Sequence, residues 1–140
     1  MSTIFSRIIA GDIPGHFVWK DDVCVVFASI APITPGHMLV VPRAEVSSFT
    51  QADDALLAHL MSVAKIIGQA CQSAFGAPRA GLIIAGFEID HLHLHVLPAW
   101  GEAQLSFARA TPTEGPELEA ACGKIRSVLR EAGHGEHVSD

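Results

Sequence analysis

The chain has 140 residues, 49% of them hydrophobic and 17% charged. That is the size of one domain with one core, and it is too apolar for a disordered chain. Nine basic residues against fifteen acidic ones give a net charge of −6. This argues against a duplex-binding surface built on phosphate neutralisation, though not against local capture of a small anion. No apolar run reaches the ~18 residues of a membrane span, and the opening Met1-Ser-Thr-Ile-Phe-Ser-Arg7 lacks a signal-peptide pattern. Cys24, Cys71 and Cys122 are widely spaced and odd in number, which suits free thiols in a reducing compartment. The expectation is one cytoplasmic domain with no nucleic acid and no membrane as partner.

Ile4, Phe5, Ile8 and Ile9 fall at helical spacing, and Gly11 and Pro14 stop that helix. Phe17 to Lys20 and Val23 to Ala28 read as strands joined through Asp21-Asp22. The segment Ile30-Ala-Pro-Ile-Thr-Pro-Gly36 must be a loop, because Pro32 and Pro35 break any ladder. His37 to Val41 is a third strand. Thr50-Gln-Ala-Asp53 reads as a capping box. The apolar stripe Leu56, Leu57, Leu60, Met61, Ala64, Ile67, Ala70, Cys71 and Phe75 then makes a helix of about six turns, ending near Gly76-Ala-Pro78. Gly81 to Ala85 and His91 to Leu97 are two more strands, turning around Gly86. A last helix covers Glu117 to Glu131, after a linker at Thr111 to Pro116 and before a frayed tail from Gly133, with His134 and His137 in solvent. Short strands in hairpins around one long helix predict an α+β meander. Residues 1–100 form the main unit, and residues 101–140 form a C-terminal extension with one helix, packed on the same domain.

Three of the eight histidines lie in His91-Leu-His-Leu-His-Val-Leu-Pro98. On a strand, His91, His93 and His95 share one face, while Leu92, Leu94 and Val96 turn to the long helix. Four readings compete: a solvated face, a metal site, phosphate handling, and a binding face without turnover. Geometry argues against one ion on all three rings. The outer Cα atoms are about 13 Å apart, whereas zinc draws its ligand nitrogens to within ~3.3 Å of one another. Two adjacent rings with outside ligands stay open. Imidazole has an unperturbed pKa close to neutrality and can attack, donate and accept under one condition, so phosphate chemistry leads.

The segment resembles the H-x-H-x-H signature of the histidine triad superfamily. Ile4-Phe-Ser-Arg-Ile-Ile-Ala-Gly-Asp-Ile-Pro14 resembles that family's opening, Asp21-Asp22 with Val25-Val26-Phe27 its hairpin, and Pro35-Gly-His-Met-Leu-Val-Val-Pro-Arg43 its third strand. The resemblance implies a five-stranded antiparallel sheet with a long helix and short terminal helices packed on it, joined in a homodimer. It implies a metal-independent hydrolase or transferase acting on purine nucleoside monophosphate derivatives, with no cofactor. His93 would attack the α-phosphorus of a phosphoramidate, anhydride or ester to give a nucleotidyl-histidine. His95 would bond the phosphate oxygens, and His91 would orient the nucleophile or assist the leaving group. His37 would buttress the triad, while Ile4, Phe5, Ile8, Phe27 and Ile30 would hold the base. For those five the plain alternative is ordinary core.

The departures from the pattern bear on function. Many bacterial members place zinc ligands where this chain has Thr3, Ser6 and Glu45, so only His91 of that ligand set remains and no structural zinc is expected. Ser29 stands where the ribose-binding acid is expected, and it lacks the bidentate acceptor. The loop before the triad, Gly86-Phe-Glu-Ile-Asp90, is shortened and places Glu88 and Asp90 beside His91. A carboxylate facing the phosphate would repel it and raise the histidine pKa values. Hence the alternative expectation is a nucleotide-binding regulatory homodimer with little turnover. Trp100 is read as packing, or as lining the pocket or the dimer rim. The cysteines at 24 and 71 are read as buried small hydrophobes.

Overall fold

The computed structural model describes residues 2–138. Helix α1 (Ile4–Ala10) starts where Thr3 Oγ1 accepts the Ser6 amide and ends at Gly11, whose φ of 88° no β-carbon favours. Strands β1 (Phe17–Lys20), β2 (Cys24–Ala28) and β3 (Met38–Pro42) follow, then helix α2 (Asp54–Phe75), β4 (Arg79–Ile83), β5 (Leu94–Ala99) and helix α3 (Gly115–Glu131). Every pairing is antiparallel, and the strand order is β1-β2-β3-β5-β4. The meander therefore holds only through β3. Helix α2 then carries the chain past the place beside β3 to the edge, and β5 returns to fill the gap.

The two sheet faces are covered differently. On one, Val26, Val40, Leu92, Leu94 and Val96 meet Leu60, Ala64, Ile67 and Cys71 of α2, with Leu118, Cys122, Ile125 and Leu129 of α3 in the same core. On the other, Phe5 of α1 closes a small cluster with Val25, Phe27, Leu39 and Val41. Burial pushes the thiols of Cys71 and Cys122 up to about 12, so all three buried cysteines are packing groups. Among the described residues, no helix is long and apolar enough to cross a membrane.

Several local expectations shift. The N-cap of α2 is Asp53, whose carboxylate accepts the Leu56 amide at 2.8 Å, while the Thr50 hydroxyl pairs with Ser48. A carboxylate at a helix N-terminus outcompetes a hydroxyl three residues upstream because it also meets the positive end of the helix dipole. Helix α3 begins two residues early, with Pro116 in its first turn, where no amide is needed. The tail folds back, and Val138 packs against the core. A short 3₁₀ turn at Gly135–His137 sets the rings of His134 and His137 5.7 and 4.6 Å from Trp19, so neither histidine hangs in solvent. Ser139 and Asp140 lie outside the described residues.

Two connections position the site. The Pro-rich loop after β2 turns through Gly36 (φ 97°), where a β-carbon would strike the Phe75 ring at 2.5 Å. The segment after β5 folds back as a strap of two 3₁₀ turns, Glu102–Gln104 and Phe107–Arg109. The amides of Thr111 and Thr113 tie its far end to the carbonyls of Pro32 and Ile30.

Candidate active site

The histidine segment is strand only from Leu94; His91 lies in a bend, and Leu92 and His93 lead from it into β5. Alternation nevertheless holds. His95 pairs with Leu39 and Ile83 on the face of α1, while Leu92, Leu94 and Val96 join the core of α2. His37 shares the face of Leu39 one step upstream, diagonal to His95. Its Nε2 lies 2.9 Å from His95 Nδ1.

Hydrogen-bond partners assign the protons. The amide of Ile33 donates to His37 Nδ1 at 3.0 Å, so the neutral His37 ring carries its proton on Nε2 and donates it to His95 Nδ1. His95 must then hold its own proton on Nε2. His93 Nδ1 faces the carbonyl of His91 at 2.6 Å; a carbonyl only accepts, so His93 is protonated at Nδ1 and keeps a lone pair on Nε2. His91 is committed at both ring nitrogens: Nε2 donates to the Pro42 carbonyl at 2.8 Å, and Nδ1 meets the Thr3 hydroxyl at 2.6 Å. Among the described residues no buried side-chain nitrogen or oxygen lacks a partner. The two ring nitrogens without one, Nε2 of His93 and Nε2 of His95, therefore open to solvent, with their ring centroids 4.8 Å apart.

Burial favours the neutral form of His37, His93 and His95. It brings His37 down to about 4, helped by repulsion from His93, and His95 down to about 3, helped by His37 and His93. His93 is also lowered by burial, with its bond to the His91 carbonyl and the charge of Glu88 opposing. The carboxylate beside the triad thus does not carry His93 to the cationic side. Glu88 is exposed, and Asp90 is turned aside to the Ser47 hydroxyl.

The expected base-binding residues divide. Phe5 and Phe27 are buried and meet edge to face at 5.5 Å, Phe5 also lies against His91 and His93, and Ile8 packs beside them. Ile4 and Ile30 stand 48% and 76% exposed. Ser29 turns its hydroxyl to the Ala31 amide at 3.3 Å. Phe107 of the strap sits edge-on to His95 at 4.9 Å. Nothing in the spacing of residues 95 and 107 signals that contact. Trp100, half-exposed, follows directly on β5.

A second group that could meet a cation, Asp21, Cys24 and His59, is occupied by its own bonds. Asp21 is partly buried, which opposes its charge. Bonds from the Trp19 indole, the Cys24 and Val23 amides and His59 outweigh this and hold its carboxyl far below the usual range. Burial pushes the Cys24 thiol far above its ordinary value, away from the thiolate a metal needs.

Comparison with known proteins agrees with this geometry. An uncharacterized HIT-like protein of Synechocystis is 38% identical over 102 residues, 68% of this chain and 88% of that one. The Zn-bound histidine triad family protein of Mycobacterium smegmatis superposes with a TM-score of 0.82 at 26% identity, covering 96% of this chain and 98% of that one. The hypothetical histidine triad nucleotide-binding protein of Sulfolobus tokodaii gives 0.77 at 28% identity, covering 91% of each. The HIT domain matches residues 10–101, a span that takes in β1 to β5 and all three clustered histidines, and the chain belongs to the HIT family.

Proposed function

We propose that this protein binds purine nucleoside monophosphate derivatives and transfers the nucleotidyl group through His93. The observation that carries the reading is the pairing of two nitrogens: a solvent-open lone pair on His93 Nε2 beside an N–H on His95 Nε2. In the first step a bond forms from His93 Nε2 to the α-phosphorus, and the bond to the leaving amine, alcohol or phosphate breaks in line with it. The leaving group takes a proton from solvent, since both nitrogens of His91 are committed. The phosphorylated ring is cationic, and its Nδ1–H stays on the His91 carbonyl, which stabilises it. His95 donates to a phosphate oxygen as charge builds there. Water then attacks phosphorus, the bond to Nε2 breaks, and a proton returns to solvent. No cofactor enters these steps.

In this reading the base lies against Phe5, Ile8 and Phe27, with Ile4 and Ile30 on the open rim and Ser29 near the ribose. A homodimer in the cytoplasm completes it. Strand β4 leaves its outer edge unpaired, and Leu82 and Met61 beside it are 41% and 47% exposed, which supports edge-to-edge pairing. Glu88 favours a second reading, a binding homodimer with little turnover, because its charge acts on His93 where an anionic phosphate would arrive.

Mixing the protein with adenosine and guanosine phosphoramidates and weighing it intact separates the two. The enzyme gives a nucleotidyl adduct and released product, both lost in His93→Gly by at least about 10³-fold in rate. Nucleotide binding by calorimetry with neither adduct nor product establishes the second reading and overturns the first.

A further inference from the structure

Thr3, Ser6 and Glu45 lie outside the steps above, yet they end on His91. The Thr3 hydroxyl meets His91 Nδ1 at 2.6 Å and accepts the Ser6 amide at 3.0 Å, so one oxygen caps α1 and holds the ring. Nε2 of His91 donates to Pro42, so a ring carrying one proton presents Nδ1 as acceptor to the Thr3 hydroxyl. The Glu45 carboxylate takes the Ser6 hydroxyl at 2.5 Å and the Thr3 amide at 3.1 Å. Those bonds draw its pKa down although it is exposed. The end of β3 and the turn after it therefore grip the histidine segment three ways: Pro42 O on the His91 ring, Val46 O on the Leu92 amide at 2.7 Å, and Glu45 through Ser6 and Thr3.

These are the positions at which the family resemblance leads one to expect zinc. The donors do not fit it. Two hydroxyls, one carboxylate and one imidazole lack the thiolate character of a closed structural zinc site, and each is already spent on another member of the group. We infer that Thr3, Ser6 and Glu45 form a metal-free clip that fixes the His91 ring, and through the His91 carbonyl fixes His93 as the Nδ1–H tautomer with its lone pair on Nε2. They are positioning residues, since none touches the place where phosphorus would sit. The link is short: the ring that Thr3 holds belongs to the same residue whose carbonyl takes the His93 proton.

The inference rests on His93 as nucleophile for its kinetic arm only; its spectroscopic arm stands alone. Protein labelled with ¹⁵N-histidine is compared in five forms: wild type, Thr3→Val, Thr3→Ser, Glu45→Ala and Glu45→Gln. Two-bond proton–nitrogen correlations report the tautomer of His93. Wild type and Thr3→Ser are expected to show a single Nδ1–H form for His93. Thr3→Val, which keeps shape but loses the hydroxyl, is expected to show mixed tautomers. Glu45→Ala, at an exposed site that leaves the core intact, is expected to move partway, and Glu45→Gln, which keeps an acceptor oxygen, less. With adenosine phosphoramidate, kcat is expected to fall about tenfold in Thr3→Val, with KM within twofold and Thr3→Ser restoring the rate. Unchanged His93 signals in folded Thr3→Val and Glu45→Ala overturn the clip. So does stoichiometric zinc in the purified wild type whose removal by a chelator scrambles the tautomer. If wild type binds nucleotide but turns none over while the tautomers respond as expected, the proposed reaction fails and the clip stands.

Discussion

One face of the sheet sets Val26, Val40, Leu94 and Val96 under two helices of 22 and 17 residues; the other sets Phe27, Leu39 and His95 under a helix of seven. The first face is closed and apolar over the four strands β1, β2, β3 and β5 and opens only toward β4, where Leu82 is exposed. The second is covered by α1 over β2 and β3, and the histidines lie where that cover ends, between Phe5 and Phe107 of the strap. Stability and chemistry are thereby assigned to opposite sides of a single layer of backbone, and every second residue of the histidine segment belongs to each. A ring on the open side is held in place by a leucine or valine on the closed side one residue away.

Changing residues on each side sharpens that division. On the closed side Ile67 is fully buried, and Ile67→Ala should cost about 3–4 kcal/mol in urea unfolding, while kcat of the folded fraction stays within twofold. A comparable fall in kcat would mean the two faces are coupled. The next effect in size belongs to pH and to the open side. His37 is neutral when folded, with its pKa held near 4 by burial and by His93, and it titrates at about 6.5 when unfolded. The unfolded chain therefore binds the extra proton first. Stability is full above pH 6.5 and falls as pH drops from there toward 4, by at most about 3 kcal/mol from this ring. Asp21, drawn far below the usual range, keeps its charge through that window. Urea unfolding at pH 7.5 and 4.5 should show wild type losing more than His37→Asn; equal losses would remove the buried ring from the account. The smallest effect is at the strap. Phe107 is half-exposed, so Phe107→Ala should change stability by less than about 1 kcal/mol. It admits water to His95, which also faces His37 and His93, and so moves the acidic limb of kcat/KM upward toward pH 6.5. An unmoved limb would show that Phe107 does not shield the ring.

The closed side was largely legible in the sequence, because burial under a helix imposes a period. The stripe from Leu56 to Phe75 names both the helix and its buried face, and alternation in His91 to Val96 tells which side chains turn toward it. The resemblance added the five-stranded antiparallel sheet and the place of His37 beside the triad, but not the strand order, in which β5 returns between β3 and β4. Contacts that set the open side carry no period. Thr3 and His91 are 88 residues apart, and His37 and His95 are 58 apart; such bonds are chosen by the assembled sheet. Phe107 reaches His95 only because the strap is tied back to Ile30 and Pro32. The cap at Asp53 in place of Thr50 has a local cause, since two acceptors three residues apart compete for one helix end and charge decides.

The ring stack on Trp19 makes this chain its own optical probe. The sequence has two tryptophans and no tyrosine, so all ultraviolet emission above background comes from Trp19 and Trp100. Trp19 is buried, with its indole N–H on Asp21 and two histidine rings against it, on the side of the molecule where α3 ends. Trp100 is half in water, at the end of the strand that carries His95. A blue component beside the histidine rings and a red component accessible to iodide thus report separately on the tail and on the end of β5 far from His95 in the unmodified protein.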